Sequence, residues 1–400
     1  MSEPTTETDD LKTVLARARA DHDAGRFAGA ISGFEAVVGM TPVSAADHLD
    51  IGLAYKNLGQ GTPALAAMNE AARLDPENPD VDCELGILHQ ITGRYDDAVT
   101  AYNRVLDKEQ DHFKALSGLC WVLRRLDRFD EAIEAGHRAV GLQPSLEAYH
   151  HLLHAYLAKD DCAGGLVACD EGLRDVPYNT SALTFKIAAL EGLGRHDEYV
   201  ALADIEHLLW PVEIEAPAGF DSVEQLNDAL AEHVLEFPLR PFDPTQTRNL
   251  SADPSGPMIA FTELIDDAIR AYLDSFPDTD PHPYLAQRPV DWELDSWGTR
   301  LYGMEEQEYH FHQHAWISGV YYARVPDAVR TGAARNDDGH IEFCRTLQYS
   351  NRPVMTETAV IQPETGLLIL FPSFLYHRVL PFQSPDIRIS IAFNAAPIGG

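Results

Sequence analysis

The chain has 400 residues, 45% of them hydrophobic, enough for two domains with buried cores. Its net charge of −33 excludes a sequence-independent grip on DNA or RNA, which needs basic surface, and disfavours anionic membranes. Five scattered cysteines (Cys83, Cys120, Cys162, Cys169, Cys344) form no CxxC pair, which fits a reducing compartment better than disulfides or zinc.

The first ten residues, Met1 to Asp10, are acidic and polar, and are expected to be a disordered tail and no signal peptide. No apolar run reaches membrane-span length, so the expectation is a cytoplasmic protein.

From residue 11 the sequence repeats. Gly25-Arg26-Phe27-Ala28-Gly29-Ala30 returns as Gly93-Arg94-Tyr95-Asp96-Asp97-Ala98 and as Asp127-Arg128-Phe129-Asp130-Glu131-Ala132. Phe27, Gly61, Tyr95 and Phe129 are each 34 residues apart, and Pro42, Pro76, Pro144 and Pro177 keep the same beat. Each unit reads as two helices. Leu49, Leu53 and Leu58 fall on the first and Ala64, Ala67, Ala71 and Leu74 on the second, where small residues permit close approach and Asp75-Pro76 stops the pair. This resembles the tetratricopeptide repeat, with about six copies over residues 11–211. The resemblance implies an all-α solenoid whose concave groove binds a peptide or protein segment. The histidines of this half, His150, His151 and His154 among them, read as surface or packing residues.

Residues 212–245, with Pro217, Gly219, Pro238, Pro241 and Pro244, read as a linker and irregular lead-in. Within it a helix is expected over Ser222–Glu236, capped by Ser222 with Leu226, Leu230 and Val234 as its apolar stripe. A second is expected over Ile259–Ser275. The pattern then turns to strands: Trp292–Tyr302, Gln307–Trp316, Ile317–Arg324, Ile341–Phe343, Glu357–Ile361, Leu367–Phe371, His377–Leu380 and Arg388–Asn394. About eight strands behind helices point to an antiparallel double-sheet jelly roll of the cupin-like kind.

Chemistry concentrates in those strands. Residues two apart on a strand share a face, so His310 and His312 project together, and His314 shares that face too, leaving a shifted His312/His314 pair open. His377, just past a buried strand, can supply a third imidazole. Three ligands on one face of an octahedron leave positions open for a bidentate cosubstrate and dioxygen. On the last strand Arg388, Ser390 and Ala392 alternate with Ile389, Ile391 and Phe393. The first set would put a guanidinium inside the barrel, where it demands an anion, and a dicarboxylate meets that demand. Tyr322 and Tyr302 are candidates for the pocket lining, although aromatic residues on strands commonly pack in cores; Trp316 and Phe374 read as packing.

The run from His310 to Tyr322 is similar to the HxH…SGxYY signature of a bacterial and phage family of 2-oxoglutarate/Fe(II) oxygenases. Leu368–His377 with Val379, then Arg388-Ile389-Ser390 through Phe393-Asn394, resembles that family's LLFPSxLxHxV…RISxxFN ending, and Gln246-Thr247 with Leu250 its QT…L segment. The resemblance covers residues 240–397, with the oxygenase-like domain placed at 246–397. It implies a double-stranded β-helix, iron held by His310, His312 and His377, and 2-oxoglutarate held by Arg388 with Ser390 and, as a further cofactor contact, Tyr322. His312 falls where the wider superfamily carries Asp or Glu, and Ile341-Glu342-Phe343 departs from the family's acidic-proline-arginine continuation. The implied activity is a dioxygenase, by default a hydroxylase, with the repeats presenting a peptide or protein substrate. The rival reading is a non-catalytic adaptor with a degenerate metal-binding barrel. The sequence leaves the oligomeric state open.

Overall fold

The computed structural model describes residues 11–23, 26–42, 44–240, 243–247, 249–252, 254–302, 307–330, 339–344 and 358–398. The expected disordered tail, residues 1–10, lies outside them. The chain forms two compact units that divide between Ala155 and Tyr156. No helix among the described residues is long and apolar enough to cross a membrane.

Among its described residues the first unit's regular elements are all helices. Helices Ala45–Asn57 and Gly61–Leu74, Pro79–Ile91 and Tyr95–Lys108, and Phe113–Arg125 and Phe129–Leu142 are successive antiparallel pairs. The 34-residue beat has a backbone cause. Each pair turns through a left-handed residue, at Gly59, Gly93 and Asp127, and the same turn recurs at Asp160 and Gly194. The residue after it donates its N–H back to a carbonyl five positions earlier, as Arg94 does to His89 (2.8 Å) and Arg128 to Leu123 (2.9 Å), closing the helix end. Small residues sit where helices cross. The Tyr102 ring is wedged between Gly86 and Gly118, and a Cβ on either would lie 2.5 Å from it. Its hydroxyl donates to Gln90 (2.8 Å).

The second unit begins with helices that continue the repeat, Cys162–Asp175, Thr180–Gly192 and His196–Ala203, and ends in antiparallel sheet. Its strands are β1 (Trp210–Glu213), β2 (Leu239–Arg240), β3 (Asp243–Thr247), β4 (Trp292–Leu301), β5 (Gln307–His310), β6 (Ile317–Arg324), β7 (Ile341–Cys344), β8 (Thr358–Ile361), β9 (Leu367–Pro372), β10 (Tyr376–Val379) and β11 (Arg388–Pro397). One sheet runs β1-β9-β6-β11-β4-β3-β2 and the other β5-β10-β7-β8, with every pairing antiparallel. Inward aromatics join the two sheets: Phe343 of β7 meets Phe371 of β9 edge-on at 4.9 Å.

The outer face of the larger sheet is covered by helices Val223–Glu236 and Met258–Asp274. Ser222 caps the first, accepting from the Gln225 amide (3.3 Å). Gly298 of β4 lets that helix approach, since a Cβ there would meet Val234 at 2.6 Å. Tyr321 of β6 packs on Phe261 (5.0 Å) and donates to Asn227 (2.5 Å). Leu183, Ile187 and Leu190 of the repeat helix Thr180–Gly192, with Tyr199, Leu202 and Leu208, belong to the same buried cluster as these sheet residues.

Two features depart from expectation. The expected boundary between repeats (to 211) and linker (from 212) falls inside β1, which pairs with β9 from Trp210↔Leu370 to Glu213↔Leu367. The strand expected over Gln307–Trp316 ends at His310. Beyond it the backbone turns: the His312 amide donates to the Ser373 carbonyl (3.0 Å) and the Trp316 amide to Ala395 (3.0 Å), so these groups leave the β5 ladder. His310 and His312 therefore do not share a strand face.

Candidate functional site

Three elements bring the site together. His310 ends β5 and lies directly across the ladder from His377 on β10. His312 swings in on the turn that follows. The ligating atoms of the three imidazoles all lie within 4.8 Å of one another. Ring centroids are 4.4 Å apart for His310–His377, 5.1 Å for His310–His312 and 5.2 Å for His312–His377. His314 is exposed and takes no part in this group.

Burial keeps these rings uncharged. It lowers the pKa of His310, pushes His312 down to about 3 with help from neighbouring His310, and depresses buried His377 well below the ordinary imidazole range. Backbone carbonyls then choose the tautomer. Nδ1–H of His310 donates to Glu308 (2.8 Å) and Nδ1–H of His377 to Leu375 (2.9 Å), leaving each Nε2 lone pair free for a cation. Nδ1 of His312 lies 3.3 Å from the Asn394 amide nitrogen. Turned over, that amide would accept from Nδ1–H and free the third Nε2. The Ser318 hydroxyl donates to Asn394 Oδ1 (2.8 Å); with the amide turned over it would accept instead and give its own proton to the Ser373 hydroxyl (2.7 Å).

The histidines, Arg388, Ser390 and Tyr322 line one cleft, which holds about 540 Å³ of space continuous with solvent. Arg388 is only 2% exposed. Its Nη1–H donates to the Gly339 carbonyl (2.8 Å), and its Nε has no hydrogen-bond partner among the described residues. The guanidinium stands over the rings of Tyr322 (5.8 Å) and Phe382 (5.7 Å), and burial lowers its pKa. A buried cation in this condition calls for an anionic ligand. The Tyr322 hydroxyl is also buried without a hydrogen-bond partner among the described residues, and burial pushes its pKa up to about 12, so it stays a neutral donor. Tyr302 is 54% exposed and lies outside the cleft. Trp316 and Phe374 are buried, each against Tyr284 (4.8 and 5.5 Å).

Sequence reasoning passed over Trp297 and gave Gln246 no role in the site, yet both line the cleft. Trp297 lies 6.1 Å from His312 and under the Arg240 guanidinium (5.5 Å). The alternation Asp295, Trp297, Thr299 on β4 was the available signal: their register partners Asn394, Ala392 and Ser390 share the Arg388 face of β11.

Comparisons with known proteins agree with both halves of this description. Residues 295–394 match the family model described as "Putative 2OG-Fe(II) oxygenase". Residues 15–79 and 83–147 match the model of the tetratricopeptide repeat. The chain thus joins tetratricopeptide repeats to an oxygenase-like C-terminal region. It is 30% identical over 96 residues to human (Homo sapiens) "Superkiller complex protein 3", a match that spans 24% of this chain and 6% of that protein. It is 30% identical over 101 residues to the Arabidopsis thaliana "Probable UDP-N-acetylglucosamine--peptide N-acetylglucosaminyltransferase SPINDLY", over 25% of this chain and 11% of that one. The chain therefore covers only a small fraction of these relatives' lengths. Among solved structures, MamA from Desulfovibrio magneticus RS-1 aligns with a TM-score of 0.37 and 21% identity, over 40% of this chain and 90% of its own.

Proposed function

We propose that this chain is an Fe(II)- and 2-oxoglutarate-dependent dioxygenase whose repeats present a peptide or protein segment. The observation that carries the proposal is one cleft holding three convergent neutral imidazoles and a buried guanidinium with no acidic partner among the described residues. The strand order supports a double-stranded β-helix around it. From β4 to β11 the chain crosses between the sheets at every step but one, the β7–β8 pair staying in the smaller sheet, giving β4-β11-β6-β9 facing β5-β10-β7-β8.

The residues present fit the implied cofactors. His310, His312 and His377 would hold Fe(II), borderline imidazole donors being suited to it. Arg388 would fork onto the distal carboxylate of 2-oxoglutarate, with Ser390 and Tyr322 donating beside it. When bound, Fe(II) with 2-oxoglutarate and dioxygen supplies the oxidising power for C–H hydroxylation, the cosubstrate leaving as succinate and carbon dioxide. The chain's own work is geometric. The Glu308 and Leu375 carbonyls lock two ring orientations, and Phe371, Val379 and Trp297 give the cleft lining its apolar and aromatic surface.

The test is iron content and succinate formation from 2-oxoglutarate for the wild type and for His377→Ala. The proposal expects about one iron per wild-type chain, turnover of 2-oxoglutarate, and loss of both in the variant. Stoichiometric iron retained by His377→Ala would remove that residue from the ligand set. A second reading, a non-catalytic adaptor, draws on the wholly uncharged donor set. Absence of both iron uptake and turnover in the wild type would favour it.

A further inference from the structure

His312 is the one member of the triad that no strand holds, because β5 ends at His310. A ligand on a turn keeps its place only if other groups fix the turn. Besides the Ser373 and Ala395 carbonyls that accept from its amides, a distant helix supplies such groups. The Thr180 hydroxyl donates to the Gln313 carbonyl (2.9 Å) and lies 3.4 Å from the His312 carbonyl. One helical turn on, the Thr184 hydroxyl reaches the Phe374 carbonyl (2.8 Å), in the loop that leads to His377. Phe185 meets Phe311 edge-on (6.1 Å), and Tyr178 meets Trp316 (5.2 Å). The helix Thr180–Gly192, with Tyr178 just before it, thus touches both ends of the His312 turn and the approach to His377.

Packing alone does not account for the hydroxyls. Thr180 and Thr184 are 0% and 3% exposed. Thr184 has an acceptor inside its own helix, the Thr180 carbonyl at 3.0 Å, yet it also faces Phe374. The Thr180 hydroxyl, in the first turn, has no acceptor in its own helix among the described residues, and its bonds reach 132 and 133 residues along the chain. A buried hydroxyl aimed at a backbone carbonyl fixes that peptide's orientation, and with it the side chain the peptide carries.

We propose that Thr180 is a positioning residue for the metal centre. By holding the 312–313 peptide it sets the approach of the His312 ring, so a helix of the repeat region is part of the metal site's supporting shell. This rests on the triad being a metal site, as proposed above.

The test titrates the full chain with Co(II), following its visible absorption bands and its dissociation constant, for the wild type, Thr180→Val, Thr180→Ala and Thr180→Ser. Thermal unfolding without metal is recorded alongside. Val and Ala, which lack the donor, are expected to weaken Co(II) binding about 10- to 100-fold and to alter the bands. Ser keeps the donor and is expected to stay close to the wild type. Ala places no methyl against the carbonyls and carries the comparison if Val fails to fold. Wild-type constants and spectra in both Val and Ala overturn the proposal, as does a loss in Ser equal to that in Val. A wild type that binds no Co(II) overturns the metal-centre reading and this proposal with it.

Discussion

Replacing Arg388 with methionine separates what the guanidinium does for ligand from what it does for the fold. Among the described residues Arg388 makes one charge-assisted hydrogen bond, to Gly339, and two weak ring contacts. Losing these costs about 1.5–3 kcal/mol for the hydrogen bond and roughly 0.5–1 kcal/mol for each ring contact. Opposing them is the penalty for keeping an uncompensated charge at 2% exposure, several kcal/mol in real interiors. Arg388→Met fills similar volume and removes that penalty. Without ligand it should be at least as stable as the wild type, and a gain of about 2 kcal/mol would raise Tm by about 4–8 °C in a unit of this size. With 2-oxoglutarate at about 100 times its Kd the wild type should gain ~2.7 kcal/mol and the variant nothing. Differential scanning calorimetry with and without 2-oxoglutarate reads both effects. A ligand-free variant markedly less stable than the wild type, or one that 2-oxoglutarate still stabilises, would refute the account of Arg388 as an unmet charge awaiting a carboxylate.

Three further outcomes are expected. Gly118→Ala drives a Cβ to 2.5 Å from the Tyr102 ring, so the first unit should lose about 1–3 kcal/mol by urea denaturation, and an unchanged midpoint would contradict the wedge. Burial holds the His151 pKa at about 4, below its ordinary 6.5, so acid favours the unfolded, protonated form: the stabilisation is complete above pH 6.5 and is lost as pH falls toward 4. At pH 5 the loss is about 2 kcal/mol, and His151→Asn should flatten the fall between pH 7 and 5 by that amount in paired denaturation curves. A chain beginning at residue 212 strips Leu183, Ile187, Tyr199 and Leu208 from the sheet unit's core and should be recovered only as aggregate; a soluble product with cooperative unfolding would show those helices to be dispensable.

What the sequence disclosed and what it hid follow from range. The repeat was legible because its cause is local: a left-handed turn, small crossing residues and a terminal proline recur every 34 positions. Arg388 and Ser390 were legible because strand alternation alone assigns them a common face. The turn at Phe311 was not, since the carbonyls that draw the His312 and Trp316 amides off the ladder, those of Ser373 and Ala395, are 61 residues or more away in sequence. Nothing local marks Thr180 and Thr184, whose acceptors Gln313 and Phe374 are as distant. Trp210–Glu213 was concealed by Pro211 and the prolines after it, which read as linker, yet an edge strand tolerates a proline whose missing N–H faces away from the ladder.

That edge strand has a consequence for how the protein survives in a crowded cell. β9 is the most apolar strand of the chain, Leu367-Leu368-Ile369-Leu370-Phe371, and a bare flank of such a strand templates fibril-like stacking between molecules. Trp210–Glu213 zips along that flank and exposes in its turn only a short, proline-bearing rim. Mutations that loosen these four residues should therefore show first as insolubility on expression, before any change in chemistry is measurable.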